Sequence, residues 1–314
     1  MKVLVTGSTG FVGSAVVHQL SVASGQSVVA GLRQPTTKLA GHVEQVVMGD
    51  LLASTDYGNA FESVDVVIHT AARVHVMSDD SSDPLAEYRK VNVDGTLNLA
   101  RQAAQAGVSR FIYISSIKVN GESTEDRPFT PDDVISTNDP YGLSKWEAEQ
   151  GLFALAEVSG MEVVVIRPPL IYGPGVKANF LRMIQWVQKG VPLPLGAVKN
   201  RRSLIALDNL VSFIIHCIDH PKASNEVFLI SDGEDVSTTD LLKKAARAFG
   251  KQARLIPVPV GLMCFVASLL GKKDIADRLF GSLQIDSSKA RNLLRWNPVI
   301  NMDEQLKKTV EGWK

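Results

Sequence analysis

The chain has 314 residues, 45% of them hydrophobic, with 33 basic and 33 acidic side chains. That supplies a large core, in two domains or one large α/β unit. A formal net charge of zero excludes the basic bias of a nucleic-acid binder. The only cysteines, Cys217 and Cys264, have apolar neighbours; they exclude a disulfide framework or a zinc set, so no metal is expected and a cytoplasmic location fits.

Lys2-Val-Leu-Val-Thr6 is a β-branched run that reads as a buried strand rather than a secretory leader. It enters Gly7-Ser-Thr-Gly10-Phe-Val-Gly13, and a helical pattern with Ala15, Val16 and Leu20 follows to near Gly25. Glycines there permit a tight turn, close approach of a pyrophosphate to the backbone, and close packing of helix on strand, with the helix N-terminus facing the phosphates. The spacing is Gly-x-x-Gly-x-x-Gly. A plain strand-to-helix turn is the alternative; its place between a first strand and a first helix favours dinucleotide binding.

Ser27 to Leu32 reads as the second strand. Where an acidic residue would grip the ribose 2′-hydroxyl of NAD, the sequence continues Leu32-Arg33. Arg33 suits the 2′-phosphate of NADP, so the cofactor reads as NAD(P) with a lean to NADP(H); the alternative is a solvated loop arginine. Val43 to Met48 is a third strand, ending in Gly49-Asp50, with Asp50 placed to accept from an adenine amino group. Val64 to His69 is a fourth, followed by Thr70-Ala71-Ala72, small residues that let backbone lie against a cofactor. His69 is expected to pack locally. Arg73 and His75 face either a substrate or solvent, and Ser78 to Asp83 is a polar loop.

Glu87 to Ala106 reads as a helix with Val91, Leu97, Leu99 and Ala103 on its buried side; the plain alternative to a functional role for Asn92 is an exposed helix asparagine. Phe111-Ile-Tyr-Ile is a fifth strand ending at Ser115-Ser116, at the sheet end where ligands sit in open α/β folds. Next comes Asn138-Asp-Pro-Tyr141-Gly-Leu-Ser-Lys145, with Asp139 or Asn138 as cap and Pro140 at the first helical position. Residues four apart share a helix face, so Tyr141 and Lys145 address one spot. An ammonium beside a phenol lowers its pKa and readies it for proton transfer on a sugar hydroxyl or carbonyl. By itself this pair also suits a solvated helix face; the glycine turn and the serine-ended strand before it favour chemistry.

Glu162 to Arg167 is a sixth strand, and the alternation to this point predicts a doubly wound parallel sheet. Leu170 to Gly175 reads as turns, Phe180 to Gly190 as a helix, Val191 to Leu195 as extended. The expected division is a dinucleotide-binding Rossmann domain over 1–168, with 201–231 returning to it, and a smaller substrate-binding α/β domain from 169–200 and 232–314. Leu255 to Leu270, the most apolar segment, is short for a membrane span and reads as an extended piece followed by a buried helix, so no stable membrane insertion is expected.

These residues resemble the extended short-chain dehydrogenase/reductase superfamily, and within it the nucleotide-sugar epimerase/dehydratase/reductase family, nearly end to end. The resemblance rests on Thr6-Gly7-x-x-Gly10-Phe-x-Gly13, His69-x-Ala71-Ala72, Asn92-x-x-Gly95-Thr96, and Ser116 with Tyr141 and Lys145. It implies a catalytic triad of Ser116, Tyr141 and Lys145. It implies cofactor contacts from Gly7, Thr9, Gly10, Phe11, Val12 and Gly13. Arg33, Asp50, Leu51 and Thr70 to Ala72 join them, as do Asn92, Tyr141, Lys145 and Pro168.

Ser115-Ser116-Ile-Lys118-Val-Asn-Gly121, Arg167-Pro-Pro-Leu170-Ile-Tyr-Gly-Pro-Gly175 and Arg201-Arg202-Ser-Leu are similar to enzymes that reduce the 4-keto group of UDP-6-deoxy-N-acetylhexosamines for surface polysaccharide, and to UDP-glucose 4-epimerase-like enzymes. This implies substrate contacts from Arg73, His75, Ser116, Lys118, Leu170, Arg202 and Arg278. Leu170 stands where the family's 4-epimerases commonly carry an asparagine. On that ground 4-keto reduction is the first expectation and 4-epimerisation the second; a non-catalytic cofactor sensor is a third, against which the intact triad speaks. A homodimer is compatible with all three.

Overall fold

The structure is a computed structural model and describes residues 1–23, 26–74, 83–135, 137–271 and 273–312. The chain opens with β1 (Lys2–Thr6), α1 (Phe11–Val22), β2 (Ser27–Leu32), β3 (Glu44–Val47) and β4 (Val66–His69). It continues through α2 (Pro84–Tyr88), a widened helical turn over Arg89–Gly95, α3 (Thr96–Gln105), β5 (Arg110–Ile114), α4 (Pro140–Ser159) and β6 (Glu162–Arg167). Then come β7 (Leu170–Tyr172), α5 (Ala178–Gln188), β8 (Arg202–Ala206), α6 (Leu207–His216), β9 (Glu226–Leu229) and β10 (Asp235–Val236). The last elements are α7 (Thr238–Ala248), α8 (Val260–Leu269), α9 (Lys273–Phe280), α10 (Ser288–Leu294) and α11 (Met302–Glu311).

Seven strands form one sheet in the order β3-β2-β1-β4-β5-β6-β9, each paired parallel to its neighbour. This is the doubly wound Rossmann-like sheet that the alternating elements predict. The order reverses at β1, so the crevice beyond the C-terminal ends of β1 and β4 is the ligand position of such a sheet. β5 is buried along its whole length and β6 from its second residue, because helices cover both faces. One core cluster packs α1 and α6 on one face, through Val16, Leu20, Leu210 and Phe213. Another packs α3 and α4 on the other, through Leu99, Ala103, Leu152 and Ala156.

A second sheet, β10-β8-β7, lies with α5, α7 and α11 around Tyr172, Ile184, Leu241 and Leu306. Three expectations change here. Leu170 to Tyr172 is a strand rather than turns, since its backbone pairs parallel with Leu204 to Ala206. For the same reason β8 stands in the small sheet, while α6 and β9 return to the large one. The apolar segment from 255 forms α8 as a helix, but it is not buried: none of its residues is fully enclosed, because among the described residues only one side has a partner.

Candidate active site

The glycine turn closes on itself tightly. Gly7 has φ +67°, and a Cβ there would stand 2.8 Å from Ala71 N. At Gly13 a Cβ would stand 2.2 Å from Gly7 O and 2.6 Å from Thr70 Oγ1. These two glycines seat α1 against the end of β4. Gly10 differs: an added Cβ meets only Gly7 O, at 3.0 Å, so the outer face of the turn is open. Gly10 is also the N-cap of α1, with no side chain capping the helix and no acidic residue in its first turn. Uncapped N–H groups at a helix start bind anions. Thr9 and Gly10 are exposed, and Phe11 and Val12 half-buried, at this mouth. The turn therefore fits a dinucleotide pyrophosphate.

The neighbouring candidates are drawn to the same crevice. Thr70 Oγ1 donates to Thr6 O at 2.7 Å, and Ala71, Ala72 and Arg73 follow, half-buried. Asn92 is 1% exposed, which rules out the alternative of a surface helix residue. Its side chain accepts from Arg73 N at 2.9 Å and donates to Arg73 O and Ser144 Oγ, each at 3.1 Å. It thus ties the loop after β4 to α4. Gly95 lets Leu51 approach: a Cβ there would stand 2.5 Å from Leu51 O. Val91 and Leu97 are half-buried rather than core, because the widened turn before α3 rotates the buried stripe onto Asn92, Gly95 and Thr96. His69 packs locally as expected, between Thr6 Oγ1 at 2.7 Å and Thr96 Oγ1 at 3.0 Å, and burial lowers its pKa to about 3. Arg33 and Asp50 face one another at 3.9 Å with both side chains largely exposed. His75 lies outside the described residues.

The triad sits on two neighbouring elements. Asp139 accepts from Gly142 N at 2.8 Å and Pro140 opens α4, so Tyr141 occupies the first turn. Gly160, at φ 73°, ends the helix. Ser116 follows β5, where its hydroxyl accepts from Lys118 N and holds a short helical turn. Ile117 N donates to Pro168 O at 3.0 Å, which ties that turn to the end of β6. Ser116 stands beside the Tyr141 phenol and works to lower its pKa, and Tyr88 packs edge-on against the ring at 5.8 Å.

The electrostatics differ from the expectation. Burial, assisted by Asp139 and Tyr88, raises the Tyr141 pKa, and Ser116 opposes this. Lys145 does not hold the phenol down. Its ammonium donates to Ile114 O at 2.9 Å and lies 4.5 Å above the Tyr113 ring. Desolvation is the largest influence on both groups, and Lys145 itself is only 2% exposed. Burial lowers Lys145 from its ordinary 10.5 to about 7, with Glu149 pulling the other way.

This has a consequence for stability. Above pH 7 the folded chain releases that proton while the unfolded chain keeps it to about 10. The unfolded state then binds more protons, so stability rises with pH in this window. Relative to Lys145→Met, wild type should gain about 1.4 kcal/mol per pH unit between pH 7 and 10 and nothing below. Paired urea titrations check this; a flat difference above pH 7 would mean that the ammonium keeps its proton.

Sequence reasoning missed the support beneath the triad. Glu149, one turn beyond Lys145, is fully buried and pairs with Arg167 at 2.5 Å; it also accepts from Ser115 Oγ. Arg167 donates on to Asn120 Oδ1 at 3.0 Å. The available signal was an arginine closing an otherwise apolar strand and a glutamate on the face of Lys145.

Three basic substrate candidates converge. Lys118 Nζ lies 2.8 Å from Asp139 and 3.0 Å from Glu122, and Arg278 is 3.6 Å from the same Glu122. Arg202 donates through Nη1 to the carbonyls of Arg278 at 2.8 Å and Gly281 at 3.1 Å, so one arm of its fork is committed to backbone. Leu170 opens β7 with 47% of its surface exposed.

Parallel sheet, glycine turn and Ser/Tyr/Lys constellation together define a dinucleotide-dependent enzyme of the short-chain dehydrogenase/reductase type. The chain belongs to the NAD dependent epimerase/dehydratase family, whose model matches residues 3–231. It is 49% identical to a UDP-glucose 4-epimerase of Vibrio cholerae over 314 residues, covering 99% of this chain and 95% of that protein. Among solved structures it resembles UDP-glucose 4-epimerase with UDP-glucose from Thermotoga maritima, with TM-score 0.78, 24% identity, and coverage of 100% and 98%. It also resembles UDP-glucuronic acid 4-epimerase from Bacillus cereus with UDP-glucuronic acid and NAD, with TM-score 0.80, 22% identity, and coverage of 99% and 98%. The last two likenesses establish the fold.

Proposed function

We propose that the chain is an NAD-dependent UDP-sugar 4-epimerase, acting on UDP-glucose or UDP-N-acetylglucosamine. The observation that carries this is the 49% identity, end to end, to a UDP-glucose 4-epimerase. It favours epimerisation over the 4-keto reduction that Leu170 motivates. The lean to NADP rests on Arg33 alone, which is exposed and faces the Asp50 carboxylate. That carboxylate repels a 2′-phosphate, so NAD is the better reading.

Tyr141, once it has released its own proton to solvent, takes the proton from the C4 hydroxyl as the phenolate and later returns it to the same oxygen. Ser116, beside the phenol, is placed to hydrogen-bond the same sugar oxygen. Bound NAD supplies the hydride acceptor and donor at C4, and its positive charge favours the ionised phenol. Lys145, anchored on Ile114 O, stands on the Tyr141 face of α4 out of water, and with its pKa lowered to about 7 it can take or give a proton there. Asn92 fixes the cofactor-side loop against α4. The Lys118, Arg202 and Arg278 region suits the substrate diphosphate, Arg278 through its planar fork.

The test is an assay of the purified protein with UDP-glucose and UDP-N-acetylglucosamine. Conversion to the galacto forms is expected at roughly 1 s⁻¹ or above, with no net change at the nicotinamide band, and mass spectrometry should find NAD in the purified sample. Consumption of one reduced cofactor per UDP-4-keto-6-deoxy-N-acetylhexosamine, without epimerisation of either UDP-sugar, would restore the reductase reading.

A further inference from the structure

The exposed face of α8 is unlike the rest of the surface. Leu262, Phe265, Val266, Leu269 and Leu270 are 54%, 62%, 46%, 72% and 67% exposed. They recur at i, i+3, i+4, i+7 and i+8, so they form one stripe along the helix. A stripe with this period normally faces a core; here it faces away from one. The opposite side, through Val260 and Met263, already packs on Val187, Leu193 and Leu242. α8 is thus apolar on both sides and partnered on one. Ile256, 51% exposed, stands just before α8, and its segment hydrogen-bonds to Leu193 and Gly196, beyond α5 with Trp186 at 47%.

The charges along this stretch are biased. Between Asp240 and Asp274 the sequence has no acidic residue and seven basic ones, of which Lys243 and Lys244 pair with Asp240, Glu234 and Asp303, while Arg247, Lys251 and Arg254 pair with no carboxylate among the described residues. Arg247, Lys251 and Arg254 precede α8 and are exposed; Lys272 and Lys273 follow it in sequence. An apolar stripe flanked by cations is the pattern of a helix that lies in a lipid–water interface. Ten residues of helix are about 15 Å long, about half a bilayer's apolar thickness, so α8 cannot span one. No helix among the described residues is long and apolar enough to cross a membrane.

We infer that α8 docks the enzyme peripherally on an anionic lipid surface, with Leu262, Phe265 and Leu269 entering the acyl boundary and the flanking cations meeting the headgroups. A second copy of this chain is the less favoured occupant. Joining two α8 stripes face to face would bring two cationic flanks together, whereas an anionic surface neutralises them. α8 runs on toward α9, whose Arg278 carbonyl is held by Arg202, so the surface is met near the small sheet.

Vesicle flotation tests this on the full chain, with vesicles of phosphatidylglycerol and phosphatidylcholine in equal parts, and of phosphatidylcholine alone. Wild type should float with the anionic vesicles and not with the neutral ones, and less as salt is raised. Phe265→Ser with Leu269→Ser should lower the bound fraction at least about tenfold. Lys251→Glu with Arg254→Glu should weaken binding and flatten its salt dependence. Both variants should turn over the soluble nucleotide sugar at the wild-type rate without vesicles, which also shows that they fold. Wild type left unbound by anionic vesicles, equal binding to neutral ones, or undiminished binding of the serine variant would each overturn the inference. So would a wild-type dimer, seen by light scattering, that ignores vesicles and separates in the serine variant.

Discussion

Replacing Tyr141 with phenylalanine is expected to lower turnover by about 10²–10⁴-fold, the usual contribution of a positioned proton-transfer group. Cofactor binding should change little. The ring still packs against Tyr88 at 5.8 Å, and Asp139 still caps the helix through Gly142 N. Only the hydroxyl beside Ser116 is lost. Calorimetric titration with NAD, alongside the epimerase assay, separates the two effects. A variant that retains more than about a tenth of the wild-type rate would show that Tyr141 does not carry the proton. A variant equally slow but unable to bind NAD would place the tyrosine in the cofactor site instead.

Replacing Glu149 with alanine is expected to cost about 3–5 kcal/mol of stability, because it leaves the Arg167 guanidinium buried without its carboxylate. Arg167 is 4% exposed, and its Nε and Nη2 both donate to Glu149. Removing both charges, as Glu149→Ala with Arg167→Met, should cost less than the single change, since no uncompensated ion then remains. Urea unfolding of the three proteins measures this. Equal losses in the single and double variants would mean that water reaches Arg167 once Glu149 is gone. The single variant should also slow catalysis. Glu149 receives Ser115, next to Ser116, and lies one turn from Lys145, so its loss loosens both sides of the triad.

What was readable in advance was local. The run Lys2–Thr6, the glycines at 7, 10 and 13, and the helix after them announce a strand–turn–helix because propensity and φ > 0 tolerance act within a few residues. The same holds for Asp139, Pro140 and Gly160 as the start and stop of α4. Alternation of such units was enough to predict the parallel sheet, since short right-handed crossovers leave few other topologies. The Ser116, Tyr141 and Lys145 positions followed from strand ends and helix faces.

What tertiary structure decided was burial, and with it charge. By its sequence alone Asn92 could equally be polar surface; it is enclosed because α4 and the loop after β4 close over it. Leu170 to Tyr172 becomes a strand only because β8, some thirty residues later, lies beside it. The expectation that Lys145 lowers the Tyr141 pKa used spacing alone, and spacing carries no information about desolvation. Once the chain is packed, the ammonium finds Ile114 O and both pKa values move toward the neutral forms. The apolar α8 failed in the opposite sense: hydropathy measures the tendency to leave water, but a partner surface must exist to accept it, and among the described residues only one side of α8 has found one.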